Sequence, residues 1–237
     1  MNSSRRSAGD TTEAAAASTR RTSAAPPPTD HRTRVGAVRR ERTREKIVAS
    51  ALHVFAQRGP DAPVIDDFIA AAGIARGTFY NYFKSTPELL EAACKWLEDD
   101  LIVSIESEIS GLDNPAHRVA MGVRLWIHRA QSDAQWCAFA ARAWRHGSMV
   151  EQKVDRDLRA GRHLGLFDFP NIEAARDLLI GTCREAMVRL CSKRARRGFA
   201  DDVARVVLQG LGLERSAIDA ALALPPPAMR RKPAALG

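Results

Sequence analysis

The 237-residue chain lacks most of the features that function classes require. No segment holds eighteen consecutive apolar residues, so no helix spans a bilayer, and the first residues offer no apolar core of the length a secretory signal uses. No stretch alternates apolar and polar residues convincingly enough for a half-buried strand. Cysteine is sparse. Cys94, Cys137, Cys183 and Cys191 are widely separated, and no pair has metal-ligand spacing. Their apolar helical surroundings point to reduced, buried side chains in a cytoplasmic protein, with a thiol sensor as the alternative. The six histidines, His31, His53, His117, His128, His146 and His163, form no tight pair. There is no nucleophile motif, no phosphate-binding glycine loop and no clustered carboxylate–histidine set. Together these absences argue against an enzyme, a metal site, a cofactor and a membrane partner.

What is present is an uneven charge. The chain carries a formal +8. Residues 1–46 hold eleven Arg or Lys against five Asp or Glu, so most of the excess sits at one end. Such asymmetry suits a polyanion partner there; a solvated segment without a role is the alternative. Residues 1–38 are Ser, Thr, Ala, Arg and Pro with almost no large apolar side chain, and Pro26-Pro27-Pro28 favours an extended linker. This segment is expected to be disordered. A second tail is expected over 225–237, opening on another triple proline.

Residues 64–90 are the most informative stretch. Asp66 to Ala72 predicts a two-turn helix, Gly73 its left-handed stop, and Ile74 a buried pivot in the turn. Arg76 to Phe83 predicts a second short helix. Its Phe79 and Phe83 are four apart and share one side. Arg76, Gly77, Tyr80, Asn81 and Lys84 gather on the other. Arg reads guanine and Asn reads adenine in the major groove, while Tyr, Thr and Lys suit phosphates. A tight helix-turn-helix is the usual way to seat a helix end in that groove. An amphipathic hairpin with a polar exposed face is the plainer alternative. Upstream, Ile47, Ala51 and Phe55 recur at helical spacing before Gly59, and Arg39, Arg40, Arg42, Arg44 and Lys46 crowd the amino end of that helix.

In order and spacing, the basic helix ending Phe55-Ala-Gln-Arg-Gly59, then Ala71-Ala-Gly73-Ile74, then Gly77-Thr-Phe-Tyr-Asn-Tyr-Phe83, then Glu88-Leu-Leu90 resembles the DNA-binding domain of TetR-type (tetracycline-repressor-like) transcriptional regulators. The resemblance covers about fifty residues, from about Arg40 to Leu90. It departs from the family at three positions: Val64 stands where a capping Thr is usual, Ala75 where the recognition helix usually starts on Ser, and Thr86 where a phosphate-binding Lys is usual. Ser85 and Glu88 at capping-box spacing, Pro87 in the first turn and Lys84 next door are partial substitutes. The resemblance implies DNA contacts from Arg40, Arg42, Arg76, Gly77, Thr78, Tyr80, Asn81, Tyr82 and Lys84.

Everything after Leu90 reads as helix, giving nine helices and a short tenth. The fold class is therefore expected to be all-α, with a helix-turn-helix domain over 39–86 and a helical effector-binding and dimerisation domain over 87–224. Apolar stripes through Leu178, Leu179, Cys183 and Ala186 and through Val203, Val206, Val207 and Leu211 correspond to the pair of helices that, in the family, forms a four-helix bundle with a second subunit. Trp126, Trp136, Phe139 and Trp144 lie close together in a chain with only fourteen aromatics. The family encloses a small-molecule effector in this region, which makes Trp126, Phe139 and Trp144 the candidate ligand contacts; plain core is the alternative. The resulting expectation is a homodimeric repressor, released from a palindromic double-stranded DNA operator by a small-molecule effector. An activator is equally compatible. An all-helical ligand-binding protein or enzyme without DNA function is the alternative from another class.

Overall fold

In the computed structural model, ten α-helices form the regular structure of the described residues, 31–143, 147–192 and 196–227, and no strand occurs among them. The protein is all-α. Most of both expected tails, residues 1–30 and 228–237, lies outside the described residues.

The first helix, α1 (His31–Arg58), starts eight residues before Arg39, inside the segment expected to be disordered. Its residues 33–38 are exposed helix. From Ile47 onward one side of α1 is apolar and buried, through Val48, Ala51, Leu52 and Phe55. Gly59 then ends it, its N–H donating to the Phe55 carbonyl at 2.9 Å.

Helix α2 (Ile65–Ala72) ends in a Schellman turn. Gly73 adopts φ 60°, its N–H donates to the Ala70 carbonyl at 3.2 Å, and the Ile74 N–H reaches the Ile69 carbonyl at 3.2 Å. A side chain at 73 would be strained in that conformation. Ile74 is only partly buried. Helix α3 is shorter than the spacing predicts: it runs Arg76–Tyr80, and Asn81–Tyr82 continue as turn. The Phe83 N–H still reaches the Phe79 carbonyl at 3.0 Å, so both Phe side chains anchor the same core. Phe55 and Phe68 meet there at 4.9 Å between ring centres, and Phe79 and Phe83 at 6.1 Å.

Val64 carries no capping side chain for α2, yet half of a capping box survives. The Asp67 carboxylate accepts the Val64 N–H at 3.0 Å and pairs with Arg58 at 2.6 Å. At the start of α4 (Thr86–Ile109) the Ser85 hydroxyl accepts from the Glu88 N–H at 3.4 Å, with Pro87 in the first turn. The Glu88 carboxylate accepts the Lys84 N–H at 2.7 Å. Two orphan donors are thereby satisfied reciprocally.

Behind these, α5 (Pro115–Ser132) packs against α4, α6 (Ala134–Arg142), α7 (Ser148–His163), α8 (Ile172–Ser192), α9 (Phe199–Gly210) and α10 (Arg215–Ala223). A helix so surrounded must be apolar nearly all round, and Val119, Ala120, Val123, Leu125, Trp126 and Ile127 of α5 are all buried. Asn114 and Asp133 cap α5 and α6, each side-chain oxygen accepting a backbone N–H, at 2.8 and 2.9 Å. The expected continuation of α6 to Arg145 falls on residues outside the described ones. Helix α8 ends at Ser192. Of the two stripes on α8 and α9, Leu179 and Val207 belong to the core of the chain itself, at 4% and 0% exposure. The exposed apolar positions are their neighbours: Val206 at 55% and Val188 at 41%.

Candidate nucleic-acid interface and effector cavity

Phe79 is fully buried, which turns the opposite side of α3 outward. Arg76, Gly77, Tyr80 and Asn81 are all exposed there, with Lys84 beyond them; Thr78 is half-buried. Tyr80 is 47% exposed, an unusual position for so large an apolar ring in a soluble domain. Its ring stands edge-on to Phe79 at 5.7 Å, which fixes its direction. Nothing lies within 4 Å of where a side chain on Gly77 would begin, so backbone can approach a partner closely at that point.

The basic end of α1 lies beside the end of α3. Arg40 donates to the Asn81 carbonyl at 3.4 Å and stands 5.6 Å over the half-buried Tyr82 ring. Arg44 stands 5.5 Å over Phe83. Arg42 is exposed on the same helix. The structure thus assembles cations from α1 and polar groups from α3 into one surface. Two sequence expectations need qualification. Arg76 is already engaged, its guanidinium paired with Asp66 of α2. Both partners are exposed, so the pair contributes little and a phosphate or base edge can displace it. Tyr82 is shielded under Arg40 rather than projecting freely.

Two of the three candidate ligand residues lie among the described ones. Trp126 lines a partly open cavity of about 60 Å³ between α4, α5, α7 and α8. Phe139 is not among its lining residues. It is fully buried and packs against Phe55 of α1 at 6.2 Å, at the junction with the DNA-binding helices. Trp144 lies outside the described residues. The cavity wall is mostly Ile, Val and Leu: Ile102, Ile105, Ile109, Val119, Val123, Val154 and Leu179. Its polar part is a compensated charge network. Arg118 donates to Asp157 at 2.9 Å and to Glu106 at 3.2 Å, and Arg156 donates to Glu106 at 3.0 Å. Lys153 stands 3.7 Å from Glu106. Burial opposes ionisation of Glu106, but the Arg156 hydrogen bond and the charges of Arg156, Arg118 and Lys153 outweigh it and hold the carboxyl below its ordinary range. Sequence spacing gave no sign of this network, because its members come from three helices and meet only in the fold.

A second feature absent from the sequence reading links the two parts. Arg142, at the last turn of α6, donates to the Ala56 and Gln57 carbonyls at 3.0 and 3.1 Å. Those are among the last carbonyls of α1, which lack helical partners and carry the negative end of its dipole. With Phe139 against Phe55, α6 grips α1 by one apolar and one ionic contact.

Residues 47–93 match the family model for bacterial regulatory proteins, tetR family. This segment is similar to the DNA-binding domain of the tetR family. Curated relatives align over short stretches of the chain. The HTH-type transcriptional regulator YvdT of Bacillus subtilis, itself uncharacterised, is 36% identical over 67 residues, 28% of this chain and 34% of that protein. SrpR of Pseudomonas putida is 27% identical over 96 residues, 40% of this chain and 45% of that protein. The chain thus spans less than half the length of these relatives. Similarity of fold extends further. A structure of RolR in complex with resorcinol superposes with a TM-score of 0.63 at 24% identity, covering 82% of this chain and all of that one. FadR from Bacillus subtilis in complex with stearoyl-CoA gives 0.62 at 18% identity, covering 70% and 98%. The chain therefore shares the fold of these structures.

Proposed function

We propose that the protein is a DNA-binding transcriptional regulator. It acts as a homodimeric repressor on a palindromic operator, and a small, largely apolar effector releases it. The observation that carries this reading is the outward face of α3, where Tyr80, Asn81 and Arg76 stand beside the basic end of α1 within the segment that matches the tetR family. Five helical residues read few bases, so a specific site needs two copies related by a two-fold axis, on half-sites about one helical turn or a multiple apart. The surface for that pairing is the exposed side of α8 and α9, with Val188 and Val206 unpaired within one chain.

The effector reading rests on the cavity at Trp126. One water needs about 10–15 Å³, so 60 Å³ suits a single small ring better than an acyl chain with a nucleotide headgroup. Of the two ligands seen in similar folds, resorcinol is the better guide to size. The charges lining the cavity are paired with one another, which favours a neutral ligand that hydrogen-bonds to the rim of the network. Release is a population shift: the ligand binds the DNA-incompetent arrangement better, and DNA disfavours the ligand by the same factor. The test is selection of bound fragments from the genomic DNA around the gene. Enrichment of a palindrome supports the reading; recovery of fragments without a shared sequence contradicts it.

A further inference from the structure

Two of the four cysteines, distant in sequence, meet in space. Cys137 lies in the middle of α6, and Cys191 in the last turn of α8. Their sulfur atoms stand 3.4 Å apart with no bond between them. The two ends differ in accessibility. Cys137 is buried, and its thiol donates to the Met187 carbonyl at 3.5 Å. Cys191, four residues after Met187 on the same side of α8, is exposed. We propose that Cys137 and Cys191 are a modification site: a hydroperoxide oxidises the pair to a reversible intrachain disulfide that ties α6 to the end of α8.

The chemistry runs in two steps. The Cys191 sulfur attacks the peroxide, the O–O bond breaks, and a sulfenic acid forms with release of one water from hydrogen peroxide, or an alcohol from an organic hydroperoxide. The Cys137 sulfur then attacks the Cys191 sulfur. The S–O bond breaks, the Cys137 proton joins the departing hydroxide as a second water, and the S–S bond forms. The thiols are oxidised by two electrons and the peroxide is reduced by two. Burial, with the neighbouring Cys191 thiol, pushes the Cys137 thiol up to about 12. It is therefore the resolving thiol and not the first to react. A disulfide needs the sulfurs at about 2.05 Å, a closure of little more than an ångström that the final turn of α8 can supply.

Neither of the other cysteines is so placed. Cys183 is fully buried and its thiol is also raised, to about 12, and Cys94 donates to the Ala143 carbonyl at 3.6 Å. The bond would matter because α6 is the helix whose Arg142 holds the end of α1.

The experiment treats the full-length, reduced protein with a small excess of hydrogen peroxide, then maps peptides by mass spectrometry without reductant and counts free thiols. The expected result is a drop from four thiols to two, a 137–191 cross-linked peptide, and full reversal by dithiothreitol. Cys191→Ser, a change at an exposed position, should abolish the cross-link. Cys183→Ala should keep it. If the buried Cys137→Ser variant does not fold, Cys191→Ser alone decides. Four thiols surviving in the wild type, or a bond that joins two chains through Cys191, would overturn the proposal without touching the DNA-binding reading.

Discussion

Tyr80 and Phe83 illustrate how one short segment divides its work between neighbours. Tyr80 is exposed and touches the core only through the edge of Phe79, whereas Phe83 lies within it. Replacing Tyr80 with Ala should weaken operator binding at an unchanged melting temperature. Phe83→Ala should lower stability by about 3–5 kcal/mol, the usual range for truncating a buried Phe, as read by chemical denaturation. Had both changes affected melting equally, the outward face of α3 would be misplaced. Glu106 yields a pH prediction. Its carboxyl is held below the ordinary value of 4.5, so its ionised form stabilises the fold above that value, and the contribution is lost as pH falls through and below it. Glu106→Gln should therefore lower the melting temperature at pH 7 and flatten the loss of stability between about pH 5 and the acid limit.

At the scale of elements, the proposed dimer surface on α8 and α9 lets folding be tested apart from association. Val206→Glu places a charge on exposed helix and should yield a folded monomer by sedimentation, with an unchanged helical spectrum. Val207→Glu, one residue on, buries that charge and should prevent folding. Helix α6 offers a test of the proposed regulation apart from DNA binding. Arg142→Ala removes the guanidinium from the end of α1 but leaves α3 untouched. Operator affinity without effector should hold to within a few fold, while the effector's influence on it shrinks. An unaltered response, measured by fluorescence anisotropy of labelled operator, would place the coupling elsewhere, with the long α4 as the next path.

The helices were legible because each carries its own periodicity and stop signals, as Gly59, Gly73 and Asn114 do. The role of Phe139 was not. Burial marks an aromatic as core without saying which neighbour covers it, and the Phe139 ring packs against Phe55. Likewise Leu179 and Val207 sit in apolar stripes that one chain largely buries, and only the packed structure shows that Val188 and Val206 are left over. Ion pairs such as Arg118 with Glu106 and Asp157 join distant positions, so no local pattern announces them.

At the scale of the whole molecule, the proposed function gives the charge excess in residues 1–46 and the outward face of α3 one partner, met in two ways. On that proposal the cations should supply affinity that falls with salt, with a slope of about −0.9 in log K against log salt per phosphate neutralised, and a slope unchanged on deleting residues 1–38 would make the tail a bystander. The α3 face supplies the choice of sequence. Neither suffices alone: a basic segment binds any duplex, and one five-residue helix reads too little of it. The decisive measurement is therefore the stoichiometry and sequence dependence of the full-length protein on a recovered genomic fragment, by sedimentation and anisotropy at physiological salt. The account predicts two chains per palindrome, with affinity lost when either half-site is scrambled. Equal binding to the intact and the scrambled fragment, or one chain per site, would contradict it.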